Sequence, residues 1–149
     1  MTAVKKKPDN MPWITPYLAV SDPKKALEFY EKAFGFQKRF AMEGKDGQIV
    51  HAEMQHREGV IMMGPEMEDY AKSPKALGHR PSIGLYIYVD DVDALYRRAI
   101  GAGAKTFREP QDQFYGDRNC TVVDHDGYMW TFGTHVKDVT DEDLAKGCE

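Results

Sequence analysis

The chain has 149 residues, 30% of them charged, with a net charge of −4 and both signs interspersed. That length suits a globular domain burying roughly two thirds of its unfolded surface, and the mixed charge argues against nucleic acid as a partner. No stretch approaches the roughly 18 apolar residues of a membrane span, residues 1–13 lack the apolar run of a signal peptide, and two cysteines give no disulfide framework; a reducing, cytoplasmic location is expected.

Residues 1–11, with Lys5-Lys6-Lys7 and Pro8, read as a disordered tail. A first module over 12–64 opens with a strand at 14–20. Asp22 then caps a helix with Pro23 at its first position, where a missing N–H costs nothing. Ala26, Leu27, Tyr30, Ala33 and Phe34 recur at helical spacing, and Gly35 is placed to end the helix in the left-handed conformation. Strand-like runs at 37–42, 48–55 and 60–64 follow, separated by Gly-containing turns.

The proline-rich stretch 65–81 reads as a linker. A second module over 82–137 repeats the order: a strand at 82–89, Asp91 as cap, Val92, Leu95, Ala99 and Ile100 as the helical stripe, and Gly101 and Gly103 at the stop. Strands at 105–108, 119–123 and 128–134 close it, the last two joined by the turn Asp124-His125-Asp126-Gly127, and 138–149 is a C-terminal tail. The halves match at an offset of 68 to 69, with Tyr17-Leu18-Ala19-Val20 on Tyr86-Ile87-Tyr88-Val89 and Glu58-Gly59-Val60-Ile61 on Asp126-Gly127-Tyr128-Met129. The expected fold is therefore α+β, two βαβββ modules in tandem.

This order, with these caps, resembles the glyoxalase/bleomycin resistance protein/dioxygenase family of the vicinal oxygen chelate superfamily. Ile14-Thr15-Pro16-Tyr17-Leu18, Ala26-Leu27-Glu28-Phe29-Tyr30, His51-Ala52-Glu53-Met54, Asp112-Gln113-Phe114-Tyr115-Gly116-Asp117-Arg118 and the run 124–128 are similar to its PhnB-like group, over residues 12–137. The resemblance implies curved mixed sheets around a cavity, and a homodimer. It also implies a divalent metal held by His and Glu from the first and last strand of each module.

By motif the metal-ligand positions fall near Thr15 and Gly84, near Met62 or Met63, and near Trp130 or Thr131. None offers the imidazole, thiolate or carboxylate that nickel, zinc, iron or manganese require. No metal and no cofactor are expected, and a relocated divalent site at His51 and Glu53 is the alternative. The repeat partners of that pair are Asn119 and Thr121, so the second half offers no matching ligands.

Strand alternation puts Thr15, Tyr17, Gly84, Tyr86 and Tyr88 on a cavity side, extended by Met62 or Met63 and Trp130; the same residues could instead fill a closed core. His51, Glu53, Gln113, Tyr115 and Arg118 are polar candidates at its mouth. A His–Glu pair could serve acid–base chemistry or be a structural contact. Arg118 could fix an anionic oxygen or form a salt bridge within the sheet, with Asp117 or Glu53. Cys120 reads as a small buried hydrophobe, His56, His79 and His125 as solvated, and His135, just past the last strand, stays open. Binding of a small aromatic or amphipathic molecule without the usual metal is the leading expectation. The alternative is an enzyme, a glyoxalase-like lyase, isomerase or dioxygenase acting on a small oxygenated substrate, using an atypical metal site or His51 and Glu53 as catalytic residues.

Overall fold

The structure is a computed structural model that describes residues 4–148; of the expected tails, residues 1–3 and 149 lie outside it. The chain divides into two units. One runs up to Glu31 and resumes over Gly35–Ser73; the other takes Lys32–Phe34 and everything from Pro74.

In the first unit β1 (Tyr17–Val20) leads into α1 (Pro23–Phe34), followed by β2 (Gln37–Glu43), β3 (Ile49–His56) and β4 (Gly59–Pro65). Asp22 accepts from the backbone N–H of Lys24 and Lys25, and Gly35 ends the helix at φ 71°, donating to Glu31. The sheet order is β1-β4-β3-β2, with β1 parallel to β4 and the other pairs antiparallel. β1 begins at Tyr17 and not at 14, because Pro16 has no N–H to give the ladder; its carbonyl still accepts from Met62 at 2.9 Å. Leu18, Val20, Ala52, Met54 and Met63 are buried. Residues 4–11, expected to be a disordered tail, form a turn from Pro8 to Met11, and Arg39 donates to the Asn10 carbonyl at 3.0 Å.

The second unit repeats the pattern with β5 (Leu85–Tyr88), α3 (Val92–Gly101), β6 (Lys105–Asp112), β7 (Asp117–Val123) and β8 (Met129–His135), in the order β5-β8-β7-β6. Asp91 caps α3 through Ala94 N–H at 2.9 Å, and Val92, Leu95 and Ala99 are buried as the helix packs on β6, β7 and β8. Beneath it Cys120, Val122, Trp130 and Phe132 are fully buried, and Phe34 brings its ring within 5.2 Å of Trp130 and 4.8 Å of Phe132. β6 runs past the expected 108 to 112. It is an edge strand whose register slips between Arg108 and Gln111, which is where a sheet tolerates Pro110.

Two short helices fall where none was expected: α2 (Pro74–Leu77) in the linker and α4 (Asp141–Gly147) in the C-terminal stretch. Lys75 N–H donates to the Asp126 carbonyl at 2.9 Å, fastening α2 to the β7–β8 turn. Gly147 lies against the Phe114 ring so closely that a Cβ there would stand 2.1 Å from it. Among the described residues no helix is long and apolar enough to cross a membrane.

Candidate functional site

Register decides which side chains share a face. In the first sheet Tyr17 is level with Met62, Met62 is opposite Glu53, and Glu53 is opposite Phe40, so the four form one row across the face turned away from the buried methionines. His51 is two residues from Glu53 on the same face, opposite Met42. This face is open, Tyr17 and Phe40 each being 49% exposed. The Tyr17 hydroxyl lies over Gly64, where a Cβ would stand only 2.5 Å away. From there it meets His51 Nδ1 at 3.4 Å, while His51 Nε2 faces Glu53 Oε1 at 3.5 Å. The distances are long for hydrogen bonds, so the pair is approximate and not locked.

The second sheet carries the same device with different chemistry. Tyr86 is level with Thr131, which faces Thr121, and Tyr88 is level with Gly133, which faces Asn119. Again a tyrosine lies over a glycine: a Cβ at Gly133 would meet the Tyr86 hydroxyl at 2.5 Å. Here the hydrogen bonds are short. Asp117, almost fully buried, accepts from the Tyr86 hydroxyl at 2.8 Å, the Tyr88 hydroxyl at 2.9 Å and His135 Nδ1 at 2.8 Å. Asn119 donates to the Tyr115 hydroxyl at 2.6 Å and the Tyr86 hydroxyl at 3.3 Å, and accepts from Gln113 at 3.1 Å.

Burial pushes the Asp117 carboxyl up, but hydrogen bonds from His135, Tyr86 and Tyr88 outweigh it and hold the group below the usual carboxylate range. Burial, together with the Asp117 charge, raises Tyr86 well above the ordinary tyrosine range, and the hydrogen bond to Asp117 raises Tyr88. Asp138 and then Asp117 raise the pKa of His135, whose Nδ1 faces Asp117 at 2.8 Å and whose Nε2 faces Asp138 at 2.7 Å. Both tyrosines therefore stay protonated. The cluster is a fixed floor of exposed ring faces, Tyr86 being 43% and Tyr88 57% exposed, and of hydroxyls whose protons are given to Asp117, so that their oxygens are left as acceptors.

The expected site residues divide. Tyr17, His51, Glu53 and Met62 gather on one face, and Met62, not Met63, is the outward methionine. Tyr86, Gln113 and Tyr115 gather around Asn119 in the second unit. Thr15 stands half-buried ahead of β1, outside the ladder. Two expectations are corrected. Trp130 is level with Leu85 and fully buried on the helix-covered face, where its Nε1 donates to Asp124 at 2.9 Å, so it lines no open surface. Arg118 lies opposite Thr134 on that same side and is held by Asp93, at 2.8 and 3.0 Å, and by Asp112 at 3.1 Å. It is a salt bridge, to neither Asp117 nor Glu53, and it is committed. His56 ends β3 with its ring 5.6 Å from Phe36 and is not a turn residue in solvent.

Sequence reasoning missed Asp117, Asn119 and Asp138, and it left His135 open. The available signals were the repeat, which pairs His51 with Asn119, and the run 112–118 that contains Asp117; neither says which donors converge on it.

This arrangement of two βαβββ units defines a protein of the glyoxalase fold. The profile of the Glyoxalase/Bleomycin resistance protein/Dioxygenase superfamily matches residues 10–132, and the chain belongs to that superfamily. It is 31% identical over 137 residues to the uncharacterized protein Mb0911c of Mycobacterium bovis, a match covering 89% of this chain and 90% of the relative. The structure of TioX from Micromonospora sp. ML1 superposes with a TM-score of 0.68 at 29% identity, covering 83% of this chain and 98% of TioX. TnmS3 from Streptomyces sp. CB03234, described as an antibiotic binding protein, superposes at 0.61 and 21% identity, covering 81% and 93% of the two chains; at that identity the likeness is one of fold.

The metal that this fold implies would need ligands on the first and last strands. The outward residue of the last strand is Met62 in one unit and Thr131 in the other, the residues just ahead of the first strands are Thr15 and Gly84, and none can ligate such an ion. Among the described residues no group of three or more His, Cys, Asp or Glu could hold one. The side chains present do not fit that group.

Proposed function

We propose that this protein binds a small aromatic or amphipathic molecule against the open faces of its sheets, without the metal typical of the superfamily. The observation that carries the reading is the surface these faces present: half-exposed Tyr17, Phe40 and Met42 beside His51 and Glu53 in the first unit, and half-exposed Tyr86 and Tyr88 beside polar groups fixed by hydrogen bonds in the second. Rings and thioethers supply apolar contact at low entropy cost, and the hydroxyl tips orient a ligand. TnmS3, of the same fold, is described as antibiotic binding, which favours a ligand of that size. The motif over Asp112 to Arg118 favours the PhnB-like group. A cytoplasmic homodimer goes with this reading, supported by free thiols at Cys120 and Cys148 and by the exposed apolar side chains Trp13, Ile14 and Ile83.

The test is a titration of planar aromatic antibiotics followed by the NMR signals of the Met42 and Met62 methyl groups. Saturable shifts of those methyls, lost in Tyr17→Ala, are expected. No methyl shift with any member of the panel would sink the reading. A second reading, catalysis of a lyase, isomerase or dioxygenase type, is favoured by one observation, the contact of Tyr17, His51 and Glu53 at 3.4 and 3.5 Å. It requires turnover that His51→Ala abolishes while binding survives.

A further inference from the structure

We propose that a groove at the β7–β8 turn end of the second unit is a binding site for a small organic phosphate carrying a flat apolar body. The groove has a volume of about 710 Å³ and is lined by α2, residues 78–80, the start of β6 and the β7–β8 turn. It shares no residue with the Tyr86 cluster but lies on the same open sheet face, at its other end: Met129 on its floor is two residues along β8 from Thr131, which is level with Tyr86, about 7 Å at the rise of a strand.

Three full positive charges, Lys75, Arg80 and Lys105, line it. Among the described residues none of the three has a carboxylate within ion-pair distance. His79 also lines the groove, its Nδ1 donating to the Arg80 carbonyl at 3.0 Å. Asp124 is the one acid on the lining, and it is 6% exposed. Its Oδ1 accepts from Asp126 and Tyr128 N–H and its Oδ2 from Trp130 Nε1, so the carboxylate is spent inside the turn. Three cations around one inward-facing carboxylate favour a dianion.

The rest of the lining is apolar. Phe107 is 42% exposed, with the Arg80 guanidinium 5.0 Å from its ring centre, and Val123 and Met129 continue the floor. Gly78 and Gly103, at φ +74° and +109°, have nothing within 4 Å of where a Cβ would stand, which leaves the entrance clear. A phosphate on an aromatic or similarly flat body satisfies both parts.

Phenyl phosphate titrated into the ¹⁵N-labelled full chain tests this. The expected result is saturable movement of the Gly78, Gly103, Lys105 and Phe107 amides, weaker binding of inorganic phosphate at the same residues, and none of neutral phenol. Lys105→Glu and Arg80→Glu should each weaken phenyl phosphate by roughly tenfold or more, the loss of one charge-assisted hydrogen bond. Lys146→Glu on α4 should leave it unchanged. Absence of saturable shifts, unchanged affinity in both groove variants with native-like spectra, or shifts confined to the Tyr86 cluster would each overturn the proposal. Binding of inorganic phosphate as tight as that of phenyl phosphate would remove the apolar body from it.

Discussion

Replacing Gly133 with alanine is expected to unseat Tyr86. A Cβ at 133 would stand 2.5 Å from the Tyr86 hydroxyl and 2.9 Å from Cε1 and Cζ, so the ring must move by roughly 1 Å to reach ordinary carbon contact distances. That shift breaks the 2.8 Å bond to Asp117 and the 3.3 Å bond from Asn119. A hydrogen bond to a charged group contributes about 1.5–3 kcal/mol net, and with Tyr86 43% exposed the lower end applies, about 1–2 kcal/mol. Alanine in a strand returns about 0.5–1 kcal/mol relative to glycine, leaving Gly133→Ala destabilised by about 1 kcal/mol on balance. In a Tyr86→Ala background the clash is gone and the same substitution should be neutral or mildly stabilising. Urea denaturation of the wild type, both single variants and the double variant measures the coupling, expected at about 1–2 kcal/mol. Strict additivity would refute the seat-and-cover reasoning.

Other expectations follow from the same geometry. Asp117 has a lowered pKa, so its contribution to stability is present above the ordinary carboxylate range and is lost as pH falls through its depressed value. His135 has a raised pKa, so its contribution is complete below about pH 6.5 and is lost as pH rises through its raised value. Stability against pH should therefore lose its alkaline limb in His135→Ala and its acid limb in Asp117→Asn; two unchanged profiles would contradict the assignment. Trp130→Phe removes a buried donor to Asp124 and opens a void, costing about 2–3 kcal/mol in urea denaturation, and should leave ligand-induced methyl shifts in place. Burial pushes the Cys120 thiol up to about 11, whereas Cys148 is exposed; one rapid equivalent with a thiol reagent at pH 8 is expected, and two would show that the second core opens readily.

Local chemistry made the elements legible. Asp22-Pro23 and Asp91 cap the two helices, Gly35 stops the first, and the repeat between the halves fixes the order βαβββ twice, because caps, turns and apolar periods are properties of short stretches. That His51 and Glu53 share one face of β3 was legible for the same reason, because alternation along a strand needs no partner to be read, whereas the choice between Met62 and Met63 waited for the pairing of β3 with β4. Strand phase at the second sheet was not legible. A shift of one residue exchanges faces, and only the pairing of β8 with β5 puts Thr131 outward and Trp130 under the helix. Arg118 follows the same rule, reaching Asp93 across a helix–sheet contact that no local pattern announces. The cluster at Asp117 is assembled from β5, β7 and the end of β8, up to 31 residues apart in sequence. A buried carboxylate becomes stable only when those separate donors converge on it. The sequence by itself determined the order of the two modules, because caps, turns and apolar periods are local, while the three-dimensional pairing of strands decided which side chains meet.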